Sequence, residues 1–161
     1  MSKVSDFLYR VSIWAVALLM GVMMIVTLVD VFARNVLGFS FPWAGELARF
    51  ILIWVTFIGA SAAYKRLEMP GFDMIANKVS EKMTVIIFKV THLVVLLFSG
   101  MIVYAGFTQS FSKTVSLQIS AGLEISMTYP YLAIPVGMSF LLIHAIAFLF
   151  SAKPERKEYT L

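Results

Sequence analysis

The chain has 161 residues, 60% of them hydrophobic and 14% charged, with mean hydropathy +0.89 and a formal net charge of +4. A soluble domain carries roughly 25% charged residues, so this composition excludes an ordinary water-soluble globule. With no cysteine, disulfide staples and thiol chemistry are excluded as well.

Read in chain order, four apolar blocks are long enough to cross a bilayer, which takes about 20 residues. The expected spans are 11–33, 42–64, 83–107 and 127–150, together one four-helix membrane domain. The first, Val11 to Ala33, exceeds the apolar core of a cleavable signal and has no small-residue cleavage site after it, so it is expected to remain as an anchor. In the second, the strictly apolar part from Phe50 to Tyr64 is too short to span. The helix must therefore begin near Pro42, which places Glu46 and Arg49 at or just inside the membrane boundary.

Between the second and third spans, Pro70-Gly71 breaks the helix, and Phe72, Ile75, Val79 and Met83 then recur at helical spacing. This pattern predicts a short amphipathic helix lying in the interface. After the third span, Val115 to Ser120 alternates polar and apolar residues as a strand does. With no second strand to pair it, the segment is expected to be extended or a frayed helix end resting against another protein. Pro130 suits the start of the fourth helix, and Pro135 is expected to bend its entry.

Basic residues sort to one side. Lys3, Arg10, Lys65, Arg66, Lys78, Lys82, Lys153, Arg156 and Lys157 fall in the first and last segments and the second loop, whereas the opposite side offers Arg34, Arg49 and Lys113. Lys and Arg collect on the cytoplasmic side, so both termini are expected there. Trp14 and Tyr64 at the inner boundaries, with Trp43, Tyr104, Tyr129 and Tyr131 at the outer ones, agree with this orientation. The positive charge is thus a topology signal, and the basic face interleaved with aromatics that nucleic acid requires is absent.

Ionisable residues inside membrane segments are functional candidates that need partners. Asp30 and Arg34 are spaced i, i+4 at the end of span one, and Glu46 and Arg49 i, i+3 at the start of span two, all at one depth. Two readings stay open: salt bridges or one four-residue cluster pinning the spans together, or pairing of Glu46 or Arg49 with another subunit. Lys89 is expected to snorkel to the cytoplasmic interface. His92 and His144 are either hydrogen-bonding helix contacts or, as an alternative function, axial ligands of a haem b in a small redox protein. No carboxylate lies at mid-span, which argues against a self-sufficient proton-coupled exporter.

The stretches Val31-Phe32-Ala33-Arg34, Phe41-Pro42-Trp43-Ala44-Gly45-Glu46-Leu47-Ala48-Arg49-Phe50, Trp54, Phe57-Ile58-Gly59-Ala60, and Met127 to Gly137 form one pattern along the chain. It resembles the small, DctQ-like membrane subunit of tripartite ATP-independent periplasmic (TRAP) transporters. After the second helix such proteins often carry a histidine, an aliphatic residue and an acid; this chain reads Met69-Pro70-Gly71-Phe72-Asp73, so no role of that histidine carries over.

The resemblance implies a non-enzymatic subunit without a cofactor in the bacterial inner membrane. It implies as partners a large multi-span (M-type) subunit, which holds the substrate and sodium sites, and a periplasmic (P-type) binding protein. That protein would deliver an organic acid such as a C4-dicarboxylate or a sialic acid, and the small subunit would widen a scaffold anchored in membrane lipid. Asp30, Arg34, Trp43, Glu46, Arg49 and Trp54 are the candidates for helix pairing or subunit contact.

Overall fold

The computed structural model describes residues 3–66 and 81–150. It is all-helical, with four helices long and apolar enough to cross a membrane. These are α1 (Lys3–Phe32), α2 (Ala44–Lys65), α3 (Glu81–Ser110) and α4 (Thr128–Leu149), with a single helical turn at Lys113–Ser116. The amphipathic helix expected after Pro70-Gly71 lies outside the described residues up to its last position, Met83, which falls within α3. The bundle has two ends. The terminal end holds Lys3, Lys65, Glu81 and Leu149; the loop end holds the 38–43 connection and the 111–127 loop.

Helix α1 begins well before the expected Val11. Val4, Phe7, Leu8 and Val11 continue its apolar spacing, and the polar face between them is not left in lipid: Ser5 and Ser12 are fully buried. At its other end α1 runs into a π-helical turn, Ala33–Leu37, which stops at Gly38 with φ +74°. Glycine accepts that left-handed backbone without steric cost.

α2 packs on α1 and α4, and α4 packs in turn on α3, while α1 only grazes α4. Two close approaches set this arrangement. A Cβ built on Gly137 would lie 2.7 Å from the Phe57 backbone carbon, so α4 meets α2 with no room for a side chain. One built on Gly106 would lie 3.0 Å from Pro135, so α3 seats its glycine on the proline ring of α4. Lipid gives helices no hydrophobic reason to associate, so such contact is a main source of cohesion. Pro135 sits inside α4, and the Ser139 hydroxyl donates to its carbonyl at 2.6 Å. By contrast Ala63, which also has small-residue spacing, is exposed.

The buried cluster of Tyr64, Phe88, Ala145 and Phe148 joins α2, α3 and α4 near the terminal end. Elsewhere large apolar side chains face outward, among them Trp14, Leu18 and Phe32 on α1 and Leu97, Phe98 and Met101 on α3. In a spanning protein such residues are the expected lipid-facing or partner-facing surface.

The alternating segment Val115–Ser120 does not stay extended. It starts in the helical turn capped by Ser112, whose hydroxyl accepts from Val115 N–H at 3.3 Å. It then folds back on its own loop through an antiparallel bridge between Ile119 and Ser126, with Met127 N–H donating to the Gln118 carbonyl and Ser120 N–H to the Ile125 carbonyl, both at 2.9 Å. The pairing partner missing from the sequence pattern is a single residue immediately downstream, Ser126.

Because Gly137 has no space for a methyl group and Gly21 has nothing within 4 Å, the two glycines should respond oppositely to alanine. Gly137→Ala is expected to destabilise by about 1–3 kcal/mol through overpacking, lowering the melting temperature in detergent, whereas Gly21→Ala should leave it unchanged or raise it slightly. Equal melting temperatures for parent and Gly137→Ala would contradict the tight α2–α4 contact.

Candidate functional site

Four candidate charges gather at the loop end, but they do not form one cluster. Asp30 is buried, and its carboxylate is fully occupied. Oδ2 accepts from Arg34 Nη2 at 2.7 Å, one helical turn away, while Oδ1 accepts from the Phe41 N–H at 2.8 Å and the Ser40 hydroxyl at 3.0 Å. The acid at the end of α1 thereby folds the connection to α2 back against its own helix. The Arg34 side chain is 62% exposed.

Glu46 reaches across the chain rather than along α2. Its Oε2 accepts from the backbone N–H groups of Gly122 at 2.7 Å and Leu123 at 3.0 Å. The turn from Ser120 to Ile125 is thus pinned to the head of α2, with Glu124 in the left-handed region at φ +56°. Two N–H groups converging on one ionised oxygen form stronger hydrogen bonds than neutral pairs do. Only glycine fits at 122, since a Cβ there would lie 2.7 Å from the Pro42 carbonyl oxygen, 2.9 Å from Glu46 Oε2 and 3.1 Å from Trp43 Cα.

Arg49 does not pair with Glu46. Its Nε donates to the Gly45 carbonyl of its own helix at 3.2 Å, and the side chain is exposed. Trp43 is partly exposed and leans on Phe41 with ring centroids 5.5 Å apart; Phe41 in turn meets Phe39 edge-on at 5.3 Å. Trp54 is half-buried farther along α2, away from this group. Asp30 and Arg34 are therefore brought together, Glu46 and Trp43 meet the loop around Gly122, and Arg49 and Trp54 stand apart from both.

At the terminal end three polar contacts tie the helices. The Tyr64 hydroxyl on α2 is hydrogen-bonded to His92 Nδ1 on α3. His144 Nδ1 on α4 lies 2.8 Å from the Ser5 hydroxyl on α1. Lys65 Nζ lies 3.0 Å from Asp6 Oδ1, again joining α2 to α1, and sits over the Phe148 ring at 5.7 Å. His92 is stacked on Phe148 at 4.9 Å and meets Phe88 edge-on at 4.1 Å. Enclosed by three aromatic rings, it acts as a helix contact, and this geometry gives the two-histidine haem reading no support. Lys89 is exposed on α3. Among the described residues no group of three or more His, Asp or Glu side chains is placed to hold a metal ion.

Sequence reasoning missed Gly122, Leu123 and Ser40. Gly122 does carry the mark of a turn, but nothing in its neighbourhood points to an acid on α2. Ser5 was missed because the first helix was expected to begin later.

The Glu46 contact makes a direct prediction. Glu46→Gln keeps the shape but replaces an ionised acceptor with a neutral one, so the Gly122 and Leu123 amides should exchange with deuterium roughly tenfold faster or more. Amides in the middle of α4 should not change. Unaltered protection at 122 and 123 would show that the turn holds without the carboxylate.

The family model described as "Tripartite ATP-independent periplasmic transporters, DctQ component" matches residues 23–153 of the chain. No curated protein matches it.

Proposed function

We propose a role from one established premise: the chain belongs to the DctQ family of tripartite ATP-independent periplasmic transporters. It is a multi-pass membrane protein of a transporter and not an enzyme. The reading built on that premise is a small scaffold subunit, held in membrane lipid beside a large membrane component that carries the substrate and sodium sites. A periplasmic binding protein would supply the solute, an organic acid such as a C4-dicarboxylate or a sialic acid. Transport would then run on a sodium gradient.

The observation that carries the scaffold reading is how the buried ionisable groups are used. Asp30 holds a connection, Lys65 holds α1, and His92 and His144 hold neighbouring helices. Each of these groups makes a contact between elements, with the Nε2 atoms of His92 and His144 buried and without a hydrogen-bond partner, and among the described residues no carboxylate stands at mid-span where a coupling ion would bind. Rigidity is what a fixed frame needs if another domain is to move past it.

In this reading the loop end faces the periplasm and both termini face the cytoplasm of a bacterial inner membrane. The distribution of Lys and Arg supports that orientation.

Reconstitution tests the division of labour. The purified chain alone in liposomes should accumulate no solute under an inward sodium gradient; the large component with this chain and the binding protein should accumulate it, and omitting this chain should abolish uptake. Sodium-dependent uptake by the chain alone would overturn the scaffold reading.

A further inference from the structure

The contacts at the terminal end form one closed circuit. Neighbouring residues of α1, Ser5 and Asp6, hold His144 of α4 and Lys65 of α2. Next to Lys65, Tyr64 holds His92 of α3. Phe148, one turn beyond His144 on α4, completes the circuit by stacking on His92 and carrying the Lys65 ammonium over its ring.

α1 enters this circuit through polar side chains. Over its first four turns the buried residues are Ser5 and Ser12, while Val4, Phe7, Val11 and Trp14 are exposed. A stretch with no fully buried apolar side chain has little besides its polar ties to oppose local opening.

His144 is fully buried, and its contacts suit a ring with one proton. In a neutral imidazole one nitrogen donates and the other accepts. Nδ1 meets the Ser5 hydroxyl at 2.8 Å, while Nε2 is buried without a hydrogen-bond partner. A second proton would make both nitrogens donors and leave a charged N–H at Nε2 with no acceptor, in a bundle surrounded by lipid. The nearby charges do not offset this. Among the described residues Lys65 of α2 and Asp6 of α1 act on His144, the cation more strongly, and the Asp6 carboxylate is already held by Lys65 at 3.0 Å. From α3 comes His92, stacked on Phe148, whereas Lys82 and Lys89 are exposed; Arg66 lies over the Tyr9 ring.

We infer that Ser5 and His144 form an acid-sensitive latch, in which proton uptake by His144 releases the first turns of α1 from α2 and α4. To be hydrated, the charged ring needs an opening, and the weakly held start of α1 is the one that yields. The sign follows from linkage: the released state binds a proton that the latched state excludes, so release is favoured as pH falls below about 6.5, the value of a free histidine, and the latch holds above it. In the orientation proposed above the latch faces the cytoplasm. Its chemistry requires neither that placement nor transport, so the isolated chain tests it.

Amide exchange in detergent micelles, corrected for the intrinsic effect of pH, reads the opening. Between about pH 7.5 and about pH 5.5 the amides of Tyr9 to Ser12 should become about tenfold less protected, the ratio set by a histidine that titrates near 6.5 only when released. Those of Ala145 to Phe148 should not change. His144→Asn takes no proton and should abolish the pH response, with His144→Gln as a second variant where the first does not fold. Asp6→Asn should lower protection at both pH values and keep the response. Equal protection of the parent at the two pH values, or a response that persists in the His144 variants, would overturn the latch. The parent alone decides if neither His144 variant folds: a response that begins near pH 6.5 supports the histidine, and one that begins only below about pH 4.5 belongs to a carboxylate and overturns it.

Discussion

Glu46 connects two parts of the chain that are 76 residues apart, and the loop end depends on that contact. At a membrane border the polar backbone of a loop has less water to rely on, and N–H groups without acceptors are costly. One carboxylate oxygen answers two of them, at Gly122 and Leu123. Asp30 does the same for the shorter connection, taking the Phe41 N–H and the Ser40 hydroxyl. Each acid organises a connection, so the ends of α1, α2 and the approach to α4 are held as one unit. The close fit of Gly122 against Pro42 and Trp43 follows from that pinning.

The terminal end is closed by a different chemistry. Tyr64 with His92, Ser5 with His144 and Lys65 with Asp6 link four helices through side chains alone, set among Phe88 and Phe148. Between these two polar levels, cohesion comes from close packing at Gly137 on Phe57 and Pro135 on Gly106. A slab fastened at both ends and tight between them resists shear, a property suited to a fixed frame. Bulky open faces on α1 and α3 and a short-chained one on α2 give that frame sides of distinct character.

Much of this architecture was legible in the sequence, because apolar runs of sufficient length leave little choice but spanning helices. Helix ends were harder to place. The first span was expected to start at Val11, yet Ser5 and Asp6 find His144 and Lys65 in the structure, and α1 runs from Lys3. Spacing along one helix correctly suggested Asp30 with Arg34 and misleadingly suggested Glu46 with Arg49. Local spacing shows which side chains share a face; it carries no information about a backbone donor in a distant loop that competes for the same acid. The alternation at Val115–Ser120 covers a helical turn and a single bridged residue, Ile119, and the bridge was hidden because Ser126 belongs to no strand-like run of its own.

The Glu46 carboxylate fixes the loop before α4 onto the head of α2. Two spin labels, at Phe39→Cys and Ala121→Cys on an otherwise cysteine-free chain, report that geometry through their dipolar distance distribution. The distribution should be narrow and should broaden when Glu46→Gln is added. A distribution that stays equally narrow without the charge would contradict that role for Glu46.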